Sequence, residues 1–423
     1  MISDIIRLAL QILGFLPSYA FTALRQRISA IIHKRIYKTL PVDQLKNVVI
    51  IGGSFGGYQV VKRLTETLPT GYRVVLVEKN SHLNYVFAFP RFSVVSGYEP
   101  YAFIPYSGLA KGAPEGVFQH VRDTAIQVTD RHVELLSGEK LDYSYLVIAT
   151  GTSSALPNKV LSTDSVGAQE ELRGMQAKIA RAERIAIVGG GAVGVELAGD
   201  IKDVYPTKEV TLIHSREQLL PSFGKRLHDH VVKTLSDMNV TLRLNERPSL
   251  TGESRTLHFS TGEDKEFDLI IPCTGQRPNS TILSTLSPTS ISKASSHIEV
   301  KPSLQIRDDK FPHIFALGDV AATGGPKMAR AAFFQAEIIV KNALNSIGKR
   351  PHLETYRPNI ALEGSIKLTL GRTRLVMYTR EKSGREVLLP FNIGHEDFDV
   401  KRQWSFFGAD IKELESSMSK IKH

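Results

Sequence analysis

The 423-residue sequence predicts an α/β protein, and three observations carry that reading. An apolar strand, a Gly-rich turn and a helix follow one another twice, at residues 47–64 and 184–199. Each unit is followed by a further apolar strand, YRVVLV in the first and EVTLI in the second. Two more strand-like runs end in small residues, YLVIATG at 145–151 and IFALGDV at 314–320. Strands alternating with helices build parallel sheets covered by helices. With 42% hydrophobic and 23% charged residues the composition is that of a globular chain, and the length predicts two or three domains.

The first element in the chain is unlike the rest. Residues 5–24, IIRLALQILGFLPSYAFTAL, are mostly apolar, and Arg7, Gln11, Gly14, Ser18, Thr22 and Arg25 recur at helical spacing as a narrow polar stripe. Residues 1–42 hold six basic side chains against Asp4 alone, which is half of the chain's net charge of +10. Pro17 predicts a kink or a split helix, and Arg7 is costly at a bilayer centre, so an in-plane or shallow anchor is favoured over a clean span. Ile28, Ile31, Ile32 and Ile36 against Arg27, Lys34, Arg35 and Lys38 continue the pattern of an interfacial helix on anionic lipid. A cleaved mitochondrial presequence has similar composition, and a helix docked on the protein's own surface is the third reading. Met1-Ile2 offers no Gly for N-myristoylation. The location expected is therefore membrane-associated, on a cytoplasmic face or in mitochondria, with room for a soluble cytoplasmic pool.

The first Gly-rich turn reads Gly52-Gly53-Ser54-Phe55-Gly56-Gly57. In the G-x-G-x-x-G pattern the first Gly makes the tight turn, the second admits a pyrophosphate to the backbone, and the third lets helix pack on strand. Ser54 replaces the second Gly here, as a tolerated variant. Glu78 closes the following strand, where a carboxylate accepts from adenosine ribose hydroxyls and repels a 2′-phosphate. The second turn carries the full pattern at Gly189, Gly191 and Gly194, with Glu196 two residues into its helix, placed to reach the nicotinamide side of a dinucleotide. At its ribose end stand His214, Ser215 and Arg216 with no acid, so NADPH is as plausible as NADH, with Arg216 able to pair a 2′-phosphate. Two such turns in one chain predict two Rossmann-like dinucleotide-binding units.

Other chemistries are excluded by what the chain lacks. One cysteine, Cys273, cannot form an internal disulfide, a CxxC redox pair or a Cys-based zinc site. The thirteen His show no metal-ligand pairing, and no G-x-S-x-G elbow is present. Charge beyond residue 42 is too dilute for a nucleic-acid groove.

GGSFGG, KEVTLIHS, the CTG turn at Gly275 followed by Asn279-Ser280, and ALGD followed by Pro326-Lys327-Met328-Ala329 carry a resemblance to the apoptosis-inducing-factor-like, ferroptosis-suppressor flavoproteins, relatives of type II NADH dehydrogenases. It covers about residues 47–350. The resemblance implies three-layer ββα/α domains, an FAD-binding domain (44–155 and 279–348) with an NAD(P)H-binding domain (156–278) inserted in it, after an N-terminal segment (1–43) and before a small α+β region (349–423). It implies that residues 52–57 cradle the FAD pyrophosphate and Glu78 the ribose. It places Arg91 on FAD, the Val121 backbone on adenine, and Ala149, Thr150, Gly151, Gly318, Met328 and Ala329 around the cofactor. Asp319 would bond a ribityl hydroxyl, and a helix beginning near Lys327 would point its positive end at the flavin.

The function so implied is electron transfer from NAD(P)H through FAD to a quinone-like diffusible acceptor at a membrane surface. Trp404, Phe406 and Phe407 either line the acceptor pocket or belong to the core. Two other classes stay open: a nucleotide-liganded signalling or death-related binding protein, and a tailoring oxidase of a small metabolite.

Overall fold

Val- and Ile-rich runs buried on both faces make the two parallel sheets of the molecule, seen in a computed structural model that describes residues 2–109, 111–249, 255–394, 396–412 and 414–416. The first sheet begins with β1 (Lys46–Ile51), β2 (Tyr72–Val77), β3 (Phe118–Val121) and β4 (Tyr145–Ile148). Alternate residues enter opposite cores: Val48 and Ile50 pack with helix residues on one face, Val49 and Ile51 with residues 128–148 and 282–321 on the other. A strand covered on both faces reads as a continuous apolar run because both sides are inside.

After β4 the chain leaves this sheet and builds a second, from β5 (Arg184–Val188), β6 (Glu209–Ile213), β7 (Val240–Arg243) and β8 (Leu269–Pro272), in the order β7-β6-β5-β8. It then returns as β9 (Ile314–Ala316), which pairs parallel with β4 and completes the order β9-β4-β1-β2-β3. The second unit is thus inserted in the first. Its two connecting segments pair antiparallel, Thr152 with Pro278 and Ser153 with Arg277.

Helices α2 (Phe55–Thr65) and α6 (Ala329–Ile347) cover one face of the first sheet, and α4 (Ala192–Val204) and α5 (Lys225–Asp237) pack on the second. Between the units runs α3 (Ser165–Arg181), capped by the Asp164 side chain, which accepts from Gly167 N at 2.9 Å. Beyond α6 lie an antiparallel meander, β10 (Ile366–Thr369), β11 (Leu375–Arg380) and β12 (Glu386–Phe391), and the short α7 (Val400–Phe406). This region has no core of its own. Leu368, Val376 and Leu388 share the second unit's core, whereas Val400, Trp404 and Phe407 share the first unit's.

The N-terminal segment is one helix, α1 (Ile2–Ile36), with Pro17 inside it, so the expected split does not occur. It lies along the body. Asp4 accepts from Arg226 at 2.5 Å, Arg7 donates to Glu381 at 3.1 Å, Gln26 donates to Glu337 at 3.1 Å, and the His33 ring meets Leu68 O at 2.6 Å. Beyond its end, the Tyr37 hydroxyl donates to Tyr72 O at 2.8 Å. Leu10, Leu13, Phe21, Leu24, Ile31 and Ile36 are exposed. The helix turns Asp4, Arg7, Gln26 and His33 to the protein, and its large apolar residues stand outward together with Ser18, Thr22 and Arg25.

Candidate functional site

Both Gly-rich turns sit where a parallel strand ends and a helix begins, with the helix N-terminus facing the space beyond the sheet. Gly52 (φ +100°) and Gly189 (φ +133°) adopt backbone that side chains avoid, and a Cβ on Gly189 would lie 2.7 Å from Cys273 O. A Cβ on Gly57 would overlap the Gly52 carbonyl, and one on Gly194 the Gly189 carbonyl, so the third glycine of each turn is demanded by the helix–strand crossing. The middle position makes no such demand. Ser54 caps α2 with φ −74°, ψ −172°, and Gly191 caps α4 with φ −79°, ψ −177°, backbone open to any residue. That is why Ser replaces Gly at 54.

The first turn opens on a cavity of about 330 Å³. It is lined by Gly52, Ser54, Phe55, Gly56 and Gly57, by Glu78 from the end of β2, by Ala149, Thr150 and Gly151 after β4, by Gly318 and Asp319 after β9, and by Met328 and Ala329 at the start of α6. The sheet order brings these segments together at one edge. Glu78 is buried; its Oε2 accepts from Gly53 N at 2.6 Å and its Oε1 from Asn80 N and Nδ2 at 2.8 Å. Burial pushes its pKa up, and these hydrogen bonds oppose the rise.

Four residues expected at the cofactor stand elsewhere. Gly53 does not line the cavity, since its N–H is committed to Glu78 and its Cα faces the Tyr106 hydroxyl. The Val121 carbonyl accepts from Glu78 N and Asp123 N, both at 3.1 Å, and is spent on the sheet edge. Arg91, expected on FAD, is instead fully buried between domains: Nε donates to Asp200 Oδ1 at 2.7 Å and Nη2 to Gly371 O at 2.9 Å. A guanidinium so buried requires a carboxylate partner, and Asp200 on α4 supplies it. Glu196, expected to reach a nicotinamide, is turned onto β10, where Oε1 accepts from Thr369 N and Oγ1 at 3.1 Å. Burial lifts Glu196 to about 8 and Asp200 to about 6, and Arg91 beside Asp200 holds the latter down, so of the two Asp200 is the stronger acid.

The cavity also holds side chains that the motifs did not flag. Lys159 donates from Nζ to Thr152 O and, at 3.2 Å, to Thr152 Oγ1. Burial lowers the pKa of Lys159 and of Lys327, and Asp319 opposes the fall in both, joined at Lys159 by Glu78. Lys159 lies in an irregular loop between α3 and β4, where nothing local in the sequence distinguishes it. Tyr106, Phe87 and Asn279 also line it. Trp404 is core, donating from Nε1 to Tyr101 O at 2.8 Å, and Phe407 is buried against Tyr58 at 4.9 Å; Phe406 is 51% exposed.

In the second unit Gly189, Gly191, Gly194, Gly275 (φ +82°) and Arg216 gather at the corresponding edge, after β5, β6 and β8. Cys273 beside them is half-buried, and desolvation of its thiol pushes its pKa up to about 12, against thiolate formation at neutral pH. Among the described residues no group of His, Cys, Asp and Glu could hold a metal ion.

A pyridine nucleotide-disulphide oxidoreductase family model matches residues 46–336. The chain belongs to that family. Within the pyridine nucleotide-disulphide oxidoreductases it is 33% identical over 406 residues to Fe-regulated protein 8 of Mycosarcoma maydis, covering 89% of this chain and 98% of that one. It is 32% identical over 340 residues to ferroptosis suppressor protein 1 of Homo sapiens, covering 77% and 86%. The fold also matches the sulfide:quinone oxidoreductase of Aquifex aeolicus with a TM-score of 0.70 at 17% identity, covering 89% and 95%. Membership makes the chain an oxidoreductase that uses a flavin and a pyridine nucleotide. The disulfide of the family name has no counterpart here, since Cys273 stands alone.

Proposed function

We propose that the chain is an FAD-dependent NAD(P)H oxidoreductase that delivers electrons to a quinone or similar diffusible acceptor at a membrane surface. The observation that carries this reading is a pair of pyrophosphate-type turns at the edges of two sheets joined by one crossing ribbon, in a chain without a dithiol to take the electrons. When bound, the flavin supplies hydride acceptance from the nicotinamide and onward transfer of electrons. The residues fit it: the small Ser54 lines the turn where a pyrophosphate would lie, the α2 amides face it, Glu78 offers acceptors to ribose hydroxyls and Asp319 to a polyol. Lys159, Lys327 and the N-terminus of α6 favour negative charge at the other end of the cavity.

A row of packed aromatic rings runs from the cavity to the surface, where an apolar planar acceptor would dock. Phe55 lines the cavity and lies 6.5 Å from Phe333 on α6, which lies 5.9 Å from exposed Phe406. Glu337, one turn along α6 from Phe333, holds Gln26 of α1, so the aromatic row emerges beside the outward-facing apolar helix. A helix of 35 residues spans about 52 Å, and α1 is tied to the body near both ends, by Asp4 and by His33; docked this way it lies in the membrane plane rather than across it.

The test is anaerobic mixing of flavin-loaded protein with NADH or NADPH, following the visible absorbance of the oxidised flavin. Rapid bleaching and recovery on adding a quinone are expected. A flavin that stays oxidised with both nucleotides sinks the reading.

A further inference from the structure

Three helices converge on one carboxylate. Glu337 stands on α6, and its Oε1 accepts from Gln59 Nε2 of α2 at 2.8 Å. Its Oε2 accepts from Gln26 Nε2 of α1 at 3.1 Å, and Arg63 Nε of α2 stands 3.2 Å from Oε1. Arg63 is shared with Glu66, so one cation serves two acids and Glu337 keeps accepting capacity for the two amides. The place of this contact matters because α2 and α6 both begin at the cofactor cavity, with Phe55 and Ala329 in its lining. Phe55 and Gln59 are one turn apart on α2, as Phe333 and Glu337 are on α6. The seam between these helices is therefore closed nearest the cavity by the Phe55–Phe333 contact at 6.5 Å, and one turn farther out by the Gln59–Glu337 hydrogen bond. Residues 16–22 of α1 are all exposed, whereas Ala23, Gln26 and Ala30 are half-buried and His33 is buried. Gln26 thus makes the first hydrogen bond to the body after a free apolar stretch that carries Leu16, Tyr19 and Phe21.

We propose that Glu337 is a positioning residue for the acceptor: by holding Gln26 it sets α1 against the α2–α6 seam, so that a quinone dissolved in the lipid leaves the bilayer beside Phe333 and Phe406. The inference rests on the oxidoreductase reading above and commits it to an acceptor with an apolar tail, taken from the membrane. Phe333 lies 5.9 Å from exposed Phe406, and Glu337 is the next turn of the same helix, so the hold on α1 and the outer end of the aromatic row are neighbours. Without that hold α1 keeps its outward apolar residues, but the seam stands at no fixed distance from the lipid in which they lie. Glu337 and Gln26 are outside the cavity lining, so an acceptor that arrives through water gains nothing from their contact.

Turnover of the full, flavin-loaded chain on vesicles containing anionic lipid tests this, with NADH or NADPH as donor and two acceptors compared. One is a quinone with a long isoprenoid tail, held in the bilayer; the other is tail-less benzoquinone in the water. Gln26→Leu removes the donor and leaves the outward residues of α1 intact. It is expected to sediment with the vesicles as the parent does and to raise KM for the tailed quinone about fivefold, the scale of one net hydrogen bond, with kcat and the benzoquinone rate unchanged. Gln26→Arg, which donates to the same carboxylate, should keep that KM within about twofold of the parent. A Gln26→Leu chain with the parent's KM for the tailed quinone, or with both quinones equally impaired, overturns the inference and leaves the oxidoreductase reading standing. So does loss of sedimentation, since the contact would then serve membrane attachment itself. An unaltered chain that reduces neither quinone overturns both.

Discussion

At the residue scale, the chemistry of this chain is set by which polar groups are buried and what they meet. Glu196 sits on α4 with its carboxyl against Thr369, and burial holds its pKa near 8. The native state therefore keeps a proton that the unfolded chain releases at the ordinary glutamate value, so this residue makes stability fall as pH rises between about 4.5 and about 8. Glu196→Gln keeps an oxygen for Thr369 N and cannot ionise. Thermal unfolding of the variant should show a shallower decline across that window and a melting temperature at or above the parent's at about pH 8.5. A variant that declines as steeply as the parent would show that Glu196 is not the titrating group. How such residues were read from sequence divides by cause. Gly52, Gly57, Gly189 and Gly194 were legible because backbone geometry within a few residues demands them. Gly53 and Val121 were misplaced by one hydrogen bond each, since the sequence does not reveal that Glu78 and the sheet edge take those backbone groups.

At the element scale, the strand–turn–helix units were legible because both faces of each strand are buried and the apolar run is unbroken. The meander β10–β12 and α7 were only partly so, because their apolar residues complete other units' cores and carry no period that says which. Helix α1 gave up its amphipathic stripe to sequence reading but not its continuity through Pro17. Its ties to the body are few, and beside the buried ones at Asp4 and His33 the Arg7–Glu381 pair, with side chains 38% and 19% exposed, is worth at most about 1 kcal/mol. Leu10, Leu24 and Ile31 point outward at 64%, 57% and 58% exposure, so replacing them removes little internal packing. The triple variant Leu10→Glu, Leu24→Glu, Ile31→Glu should therefore melt close to the parent yet lose most of its co-sedimentation with vesicles containing anionic lipid. Retained sedimentation of this variant would mean that the outward face of α1 is not the membrane-binding surface.

At the scale of the whole molecule, the three regions are tied at one buried point. Arg91, from the short helix Phe89–Phe92 of the first unit, donates to Asp200 on α4 of the second and to Gly371 O of the C-terminal region. The partners are 109 and 280 residues away, which is why sequence reading gave Arg91 to the cofactor: a basic residue near a nucleotide motif has an obvious ligand, and a distant carboxylate leaves no local trace. Removing the guanidinium strands Asp200 in the interior, where an unpaired carboxylate costs about 3–5 kcal/mol unless it takes up a proton. With Arg91 present, burial already lifts Asp200 to about 6; without it the value rises further, so the native state of Arg91→Met holds a proton that the unfolded chain does not. The stability gap between parent and variant should then be small at about pH 5 and widen as pH rises toward about 8. Adding Asp200→Asn should recover much of the loss at the upper end, because the amide needs no counter-charge. A gap that is constant with pH, or a double variant no better than Arg91→Met alone, would mean that the three regions are held together mainly by their shared apolar cores and that this ion pair is incidental to their assembly.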